Sequence, residues 1–121
     1  AQTVKLCGDG LTIYSGNDDQ ITAFMSLGAK GVVSVLSNIA PRAVHDMVKM
    51  YLDGDTAAST ELQLKYLDLC SSLFSDVNPI PVKEAMNMMG MEVGSCRLPL
   101  AQIQPQAKEK LRRSLSALGM I

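Results

Sequence analysis

Apolar residues fall into two patterns along this chain, and the change from one to the other divides it. Between residues 11 and 36 they come in short, dense runs. Leu11, Ile13 and Tyr14 give the first run its bulk, and Gly31-Val32-Val33-Ser34-Val35-Leu36 forms a second that is nearly continuous valine. Such runs predict strands over 11–15 and 31–36, the second of the kind covered on both faces in a parallel sheet. Between them Ile21, Phe24 and Met25 share one helical face and predict a helix over 18–27, ended by Gly28. Strand, helix, strand is the repeating unit of a parallel α/β fold.

From residue 41 the period is helical and stays so. Pro41 stands where a first helical turn tolerates proline, and Val44, Met47, Val48 and Tyr51 follow at helical spacing. After Gly54, the stripe Ala58, Leu62, Tyr66, Leu69 and Leu73 predicts a helix over 56–73. Asn78-Pro79-Ile80-Pro81 predicts a rigid extended turn, because residues before proline avoid the α region. A short helix over 81–89, an irregular stretch over 91–103 and a last helix over 105–118 complete the pattern. That last helix buries Ala107, Leu111, Leu115 and Leu118. Residues 3–6 read as a final helical turn stopped by Gly8-Asp9-Gly10. Two parallel strands cannot bury both their faces alone, so the pattern predicts the tail of a larger fold. The opening Ala1-Gln2-Thr3, without a methionine and in mid-element, points the same way.

Composition narrows the classes. A length of 121 residues with 47% hydrophobic positions suits one domain with a modest core. Charged residues make up only 19%, against roughly 25% in an average domain, which suggests a surface meant to be covered. The net charge of −1 leaves no basic field for nucleic acid. Lys108, Lys110, Arg112 and Arg113 cluster late, but Glu109 interrupts them, and they read as a solvated helix face. Cys7, Cys70 and Cys96 are too few and too scattered for a disulfide framework or a zinc site, which fits a reducing cytoplasm. The opening residues carry no secretory signal pattern, and no apolar run approaches the ~20 residues of a membrane span.

Ser15-Gly16-Asn17-Asp18 carries the candidate chemistry. It lies at the carboxyl end of a predicted parallel strand, where such folds place ligands. Gly16 lets a ligand approach the backbone closely. A carboxylate here could bind a cation, act as a base or cap the next helix, and an N-cap at Asn17 or Asp18 is the simplest account. Neither phosphate-loop glycine pattern is present. His45, the single histidine, falls inside a helix with no second ligand at metal spacing. Ser15, Ser34 and Ser37 lack a neighbouring base, and Asp53 and Asp55 flank Gly54 without continuing into a calcium loop. A Schiff-base lysine should project from a strand. Lys5, Lys30, Lys49, Lys65, Lys83, Lys108 and Lys110 all fall on predicted helices or connections. The residues alone form no catalytic constellation.

Four blocks in register nevertheless resemble one family. They are Ile13-Tyr14-Ser15-Gly16-Asn17-Asp18, then Gly28-Ala29-Lys30-Gly31-Val32-Val33-Ser34-Val35 with Asn38, then Asn78-Pro79-Ile80-Pro81-Val82-Lys83, and finally Arg97-Leu98-Pro99-Leu100. Their order and spacing are similar to the C-terminal part of the dihydrodipicolinate synthase family of pyruvate-dependent lyases. The resemblance implies an α/β fold, a C-terminal fragment of a (β/α)₈ TIM barrel. Residues 11–15 and 31–35 would be strands seven and eight. Residues 1–53 would close the barrel and 54–121 would form a helical extension, together one incomplete domain. The implied chemistry condenses pyruvate with aspartate semialdehyde through a Schiff-base lysine and a tyrosine relay, on the route to diaminopimelate and lysine. It needs no cofactor and no metal, and the family works in the cytoplasm as dimers or tetramers. Val33 matches the position whose backbone carbonyl contacts bound pyruvate, and Gly16 matches the glycine lining that pocket. Val33 replaces a frequent isoleucine, and Asn17 a frequent aspartate. The lysine and the relay residues belong to earlier parts of the barrel, so the isolated chain is expected to be inactive. Two alternatives stand beside this: a fragment of a sister aldolase such as N-acetylneuraminate lyase, or an assembly module using Met86 to Met91 and the long leucine stripe.

Overall fold

A computed structural model describes all 121 residues, which divide into two units, Ala1–Tyr66 and Leu67–Ile121. The first unit opens with α1 (Gln2–Cys7), which runs into a 3₁₀ turn over Gly8–Gly10. An extended stretch leads to a second 3₁₀ turn, Asp18–Gln20, and α2 (Ile21–Ser26). After a second extended stretch come a third 3₁₀ turn, Leu36–Asn38, α3 (Pro41–Leu52) and the start of α4 (Thr56–Leu73). Pro41 occupies the first turn of α3, where its missing N–H is no loss. Ile21, Leu36 and Met47 are fully buried, and Met25 and Val44 nearly so.

The two predicted strands lie parallel, but their pairing shrinks to one bridge, Ser15 with Val32. The Ser15 N–H donates to the Gly31 carbonyl at 2.9 Å, and the Val33 N–H donates to the Ser15 carbonyl at 2.8 Å. A regular parallel ladder would next bring the Gly31 N–H to Ile13. Instead the Lys30 N–H donates to the Ile13 carbonyl at 2.8 Å, one residue out of step. Crowding at Gly31 accompanies the slip: a Cβ there would stand 3.3 Å from two ring carbons of Tyr14. The second run also turns earlier than its valines predict. Val35 already has helical dihedrals, and Leu36 begins the 3₁₀ turn. Val33 is 74% exposed, so this chain does not supply the double cover expected of a buried parallel strand.

In the second unit the end of α4 is followed by α5 (Ile80–Met88), an irregular stretch, and α6 (Pro105–Ala117). α5 packs on α6. Ala85 is completely buried, and so are Leu111 and Leu115, as the spacing of the last helix predicts, while Leu118 stays half-exposed one residue beyond that helix. Two basic residues of α6 are ion-paired, Lys108 with Glu84 of α5 at 2.7 Å and Arg113 with Glu109 at 3.5 Å. The irregular stretch is fastened to α5, with the Lys83 Nζ donating to the Ser95 carbonyl at 2.7 Å and the Asn87 Nδ2 to the Gly94 carbonyl at 3.0 Å. Asp76 ties the turn before α5 to the start of α6. It accepts the Gln104 N–H at 3.0 Å and the Val77 N–H at 2.7 Å, and these two bonds hold its pKa below the ordinary carboxylate value.

α4 departs from its predicted stripe in an instructive way. Leu69 and Leu73 are buried as expected, but in the first half Ala58, Leu62 and Tyr66 are only half-buried. The buried positions there are polar, Ser59 and Gln63. Ser59 Oγ donates to the Met47 carbonyl at 2.7 Å, so the polar group is satisfied where it is buried. No helix is long and apolar enough to cross a membrane.

Candidate functional site

The bridge between Ser15 and Val32 places Gly16 and Val33 side by side at the carboxyl ends of the two extended stretches. Both are exposed. A Cβ on Gly16 would meet nothing within 4 Å, so neither packing nor a left-handed backbone accounts for the glycine within this chain. The Val33 N–H is used by Ser15, whereas the Val33 carbonyl accepts no hydrogen bond. A free acceptor and an unobstructed backbone thus stand next to one another.

Ser15 is completely buried and forms the floor of this corner. Its Oγ accepts the Asn17 N–H at 3.1 Å and donates to the Asn17 carbonyl at 3.0 Å, which folds the loop tightly around Gly16. The expected capping does not occur. Neither the Asn17 nor the Asp18 side chain caps the helical segment that follows them. The first N–H groups of α2 are taken by Gln63 of α4, whose Oε1 accepts from Ile21 at 3.0 Å and from Thr22 at 3.4 Å. With that helix end already served, the Asp18 carboxylate reaches across to the second stretch. Its Oδ2 accepts the N–H groups of Val35 and Leu36, each at 2.9 Å. Asp18 is 1% exposed, and its Oδ1 is buried with no partner. Gln63 Nε2 completes the network by donating to the Asp18 carbonyl at 2.8 Å.

Two of these contributors escaped the hydrophobic pattern. Gln63 looks like a solvated helix residue, and only its place four residues after Ser59, on the same face, hints that this face is turned inward. Asp18 was visible as a helix-start residue, but its true partners lie 17 and 18 residues on.

Other candidates stay apart. His45 is exposed, and its imidazole Nδ1 lies 2.9 Å from the carboxylate of its neighbour Asp46. No group of three or more His, Cys, Asp or Glu residues is placed to hold a metal ion, and no disulfide joins the cysteines. Neither Gly16 nor Val33 lines any of three further clefts. One of about 430 Å³ in the second unit includes Lys83, Glu84 and Lys108, whose charges already have partners. Another of about 390 Å³ lies between Tyr14 and α3, and a third of about 240 Å³ adjoins Gly8 and Leu11.

A model of the dihydrodipicolinate synthetase family matches residues 1–118. The chain is 51% identical, over 121 residues, to the 4-hydroxy-tetrahydrodipicolinate synthase of Lachnoclostridium phytofermentans, covering all of this chain and 41% of that protein. A crystal structure of dihydrodipicolinate synthase superposes with a TM-score of 0.94 at 40% identity, over 99% of this chain and 42% of the other. The chloride-inhibited dihydrodipicolinate synthase of Acinetobacter baumannii, solved with pyruvate, gives a TM-score of 0.90 at 36% identity, over 98% of this chain and 40% of that one. The chain thus spans about two fifths of the length of the relatives it matches.

Proposed function

The chain belongs to the dihydrodipicolinate synthetase family, and from that premise we propose that it forms part of the pyruvate pocket, and the helical extension, of a Schiff-base lyase. That lyase condenses pyruvate with L-aspartate semialdehyde to 4-hydroxy-tetrahydrodipicolinate in the cytoplasm, on the route to diaminopimelate and lysine. In the whole barrel, residues 11–15 and 31–35 become strands seven and eight, residues 1–53 close the barrel and 54–121 are the extension. The barrels assemble as dimers or tetramers.

The observation that carries this reading is the corner at Gly16 and Val33. Parallel pairing sets both at one end of the two stretches, and the Val33 carbonyl is left without a partner beside an open glycine. The side-chain-free approach at Gly16 leaves room for a small keto acid against the backbone, and the open Val33 carbonyl would accept the N–H of the protonated imine that a lysine forms with such an acid. The partial ladder fits the same reading. An isolated strand pair has no neighbours to keep it in register, and further strands would supply them.

The chemistry itself requires a lysine beside this corner. The lysine nearest in sequence, Lys30, stands on the connection before the second stretch and lines the cleft beside Tyr14 and α3, whose lining includes neither Gly16 nor Val33. We therefore expect the isolated chain, incubated with pyruvate and sodium borohydride, to gain no mass. A covalent pyruvate adduct would overturn the assignment of the reactive lysine to another part of the barrel.

A further inference from the structure

The reach of Asp18 across the corner has a geometric consequence for Val33. On one side of the Val33 carbonyl, the Val33 N–H is fixed to Ser15 at 2.8 Å. On the other, the Val35 and Leu36 N–H groups are fixed to Asp18 Oδ2 at 2.9 Å. Only the φ and ψ of Val33 and Ser34 lie between these two fixed points, so the direction of the carbonyl has little freedom left. Asp18 is itself held. Its carbonyl is bonded to Gln63, and the loop before it is folded on Ser15 around Gly16. One carboxylate therefore joins the turn after the first stretch to the turn after the second.

We propose that Asp18 is the positioning residue of this corner: by holding the Val35 and Leu36 N–H groups it aims the Val33 carbonyl alongside Gly16. The proposal rests on the reading that pyruvate meets these two backbone positions, and it adds the residue that sets their geometry. Asp18 touches no substrate and acts only through the backbone. A single oxygen makes both bonds, and Oδ1 is left unpartnered. The side-chain amide introduced by Asp18→Asn can present the same acceptor oxygen. The positioning role therefore survives Asp18→Asn and is lost in Asp18→Ala.

Two measurements test this. In the isotopically labelled chain, Asp18→Ala should speed amide exchange at Val33, Val35 and Leu36 by about ten-fold or more and move the Val33 carbonyl carbon resonance, while the α6 amides stay protected. Asp18→Asn should bring the Val33 resonance back. If Asp18→Ala frees Val35 and Leu36 but leaves Val33 unmoved, Asp18 merely caps a turn and the proposal falls. It falls equally if Asp18→Asn fails to restore the Val33 resonance while α6 stays folded. The second measurement uses a chimera in which this chain replaces the matching stretch of the Lachnoclostridium phytofermentans synthase. There Asp18→Ala should raise KM for pyruvate by about ten-fold while kcat changes less, with Asp18→Asn close to the parent. Equal losses in kcat and kcat/KM would overturn the positioning role. A parent chimera that never engages pyruvate would overturn the pocket reading instead, and the exchange measurement would still decide on Asp18.

Discussion

Leu73, Leu111 and Leu115 are completely buried in residues Leu67–Ile121, and each falls at the helical spacing its neighbours predict. In residues Ala1–Tyr66 the buried set includes Ser15, Asp18, Ser59 and Gln63, each hydrogen-bonded to backbone. Leu6, Leu11, Tyr14 and Val33 of that same unit stand more than half exposed. The second unit is closed by the apolar faces of its helices, with one buried polar residue, Ser72, bonded to the Asp68 carbonyl, while Phe74, Val77 and Leu98 stay exposed. The first unit has an apolar core as well, around Ile21, Leu36 and Met47, but it adds buried polar side chains that bridge its turns. The contrast locates where function can lie. In the first unit the open Val33 carbonyl beside Gly16 marks backbone left for something else to meet.

Removing apolar volume from the second unit puts this contrast under the greatest load. Leu111→Ala should cost about 2–5 kcal/mol, the range for deleting a fully buried leucine, read from urea unfolding with α6 amides as the probe. A cost below about 1 kcal/mol would mean that burial at Leu111 does not hold that unit. Next comes Gln63→Ala, which strips the partner from the buried Ile21 N–H and from the Asp18 carbonyl. It should destabilise by about 1–3 kcal/mol, the cost of unsatisfied buried polar groups, and loosen α2 amides before those of α6. Uniform loosening of both units would erase the distinction between them.

The smallest effect is electrostatic and belongs to Asp76, held below the ordinary aspartate range by the Gln104 and Val77 N–H groups. A carboxylate with a depressed folded pKa gives its full support above the unfolded value and loses it as pH falls through the folded one. Acidification in that window should therefore free the start of α6. Asp76→Asn should remove this acid dependence, as followed by the Gln104 amide, with the Asp76 carboxyl resonance of the parent marking the window. Unchanged acid sensitivity in the variant would assign the effect elsewhere.

The helices were legible because their cause is local. Pro41 and Pro105 mark first turns, Gly54 and Gly90 follow last ones, and the leucines between them recur with the helical period. The glycine at residue 16 and the valine run at 31–36 likewise pointed to the corner that the structure brings together. What stayed hidden was whatever depended on a partner far along the chain. Asp18 reads as the cap of the helix it precedes, yet Gln63 occupies that helix end and leaves the carboxylate for Val35 and Leu36. The valine run reads as a strand to residue 36, yet those same two bonds start a turn at Val35.

The period of each element, the positions of its stops and the residues at the strand ends are thus written in the chain itself, because they follow from backbone sterics and from which side chains avoid water. Folding alone settled which polar side chain satisfies which backbone group, how far the two stretches pair and which carbonyl is left open. Those outcomes depend on competition between donors and acceptors brought close in space, and no single stretch of chain contains both competitors.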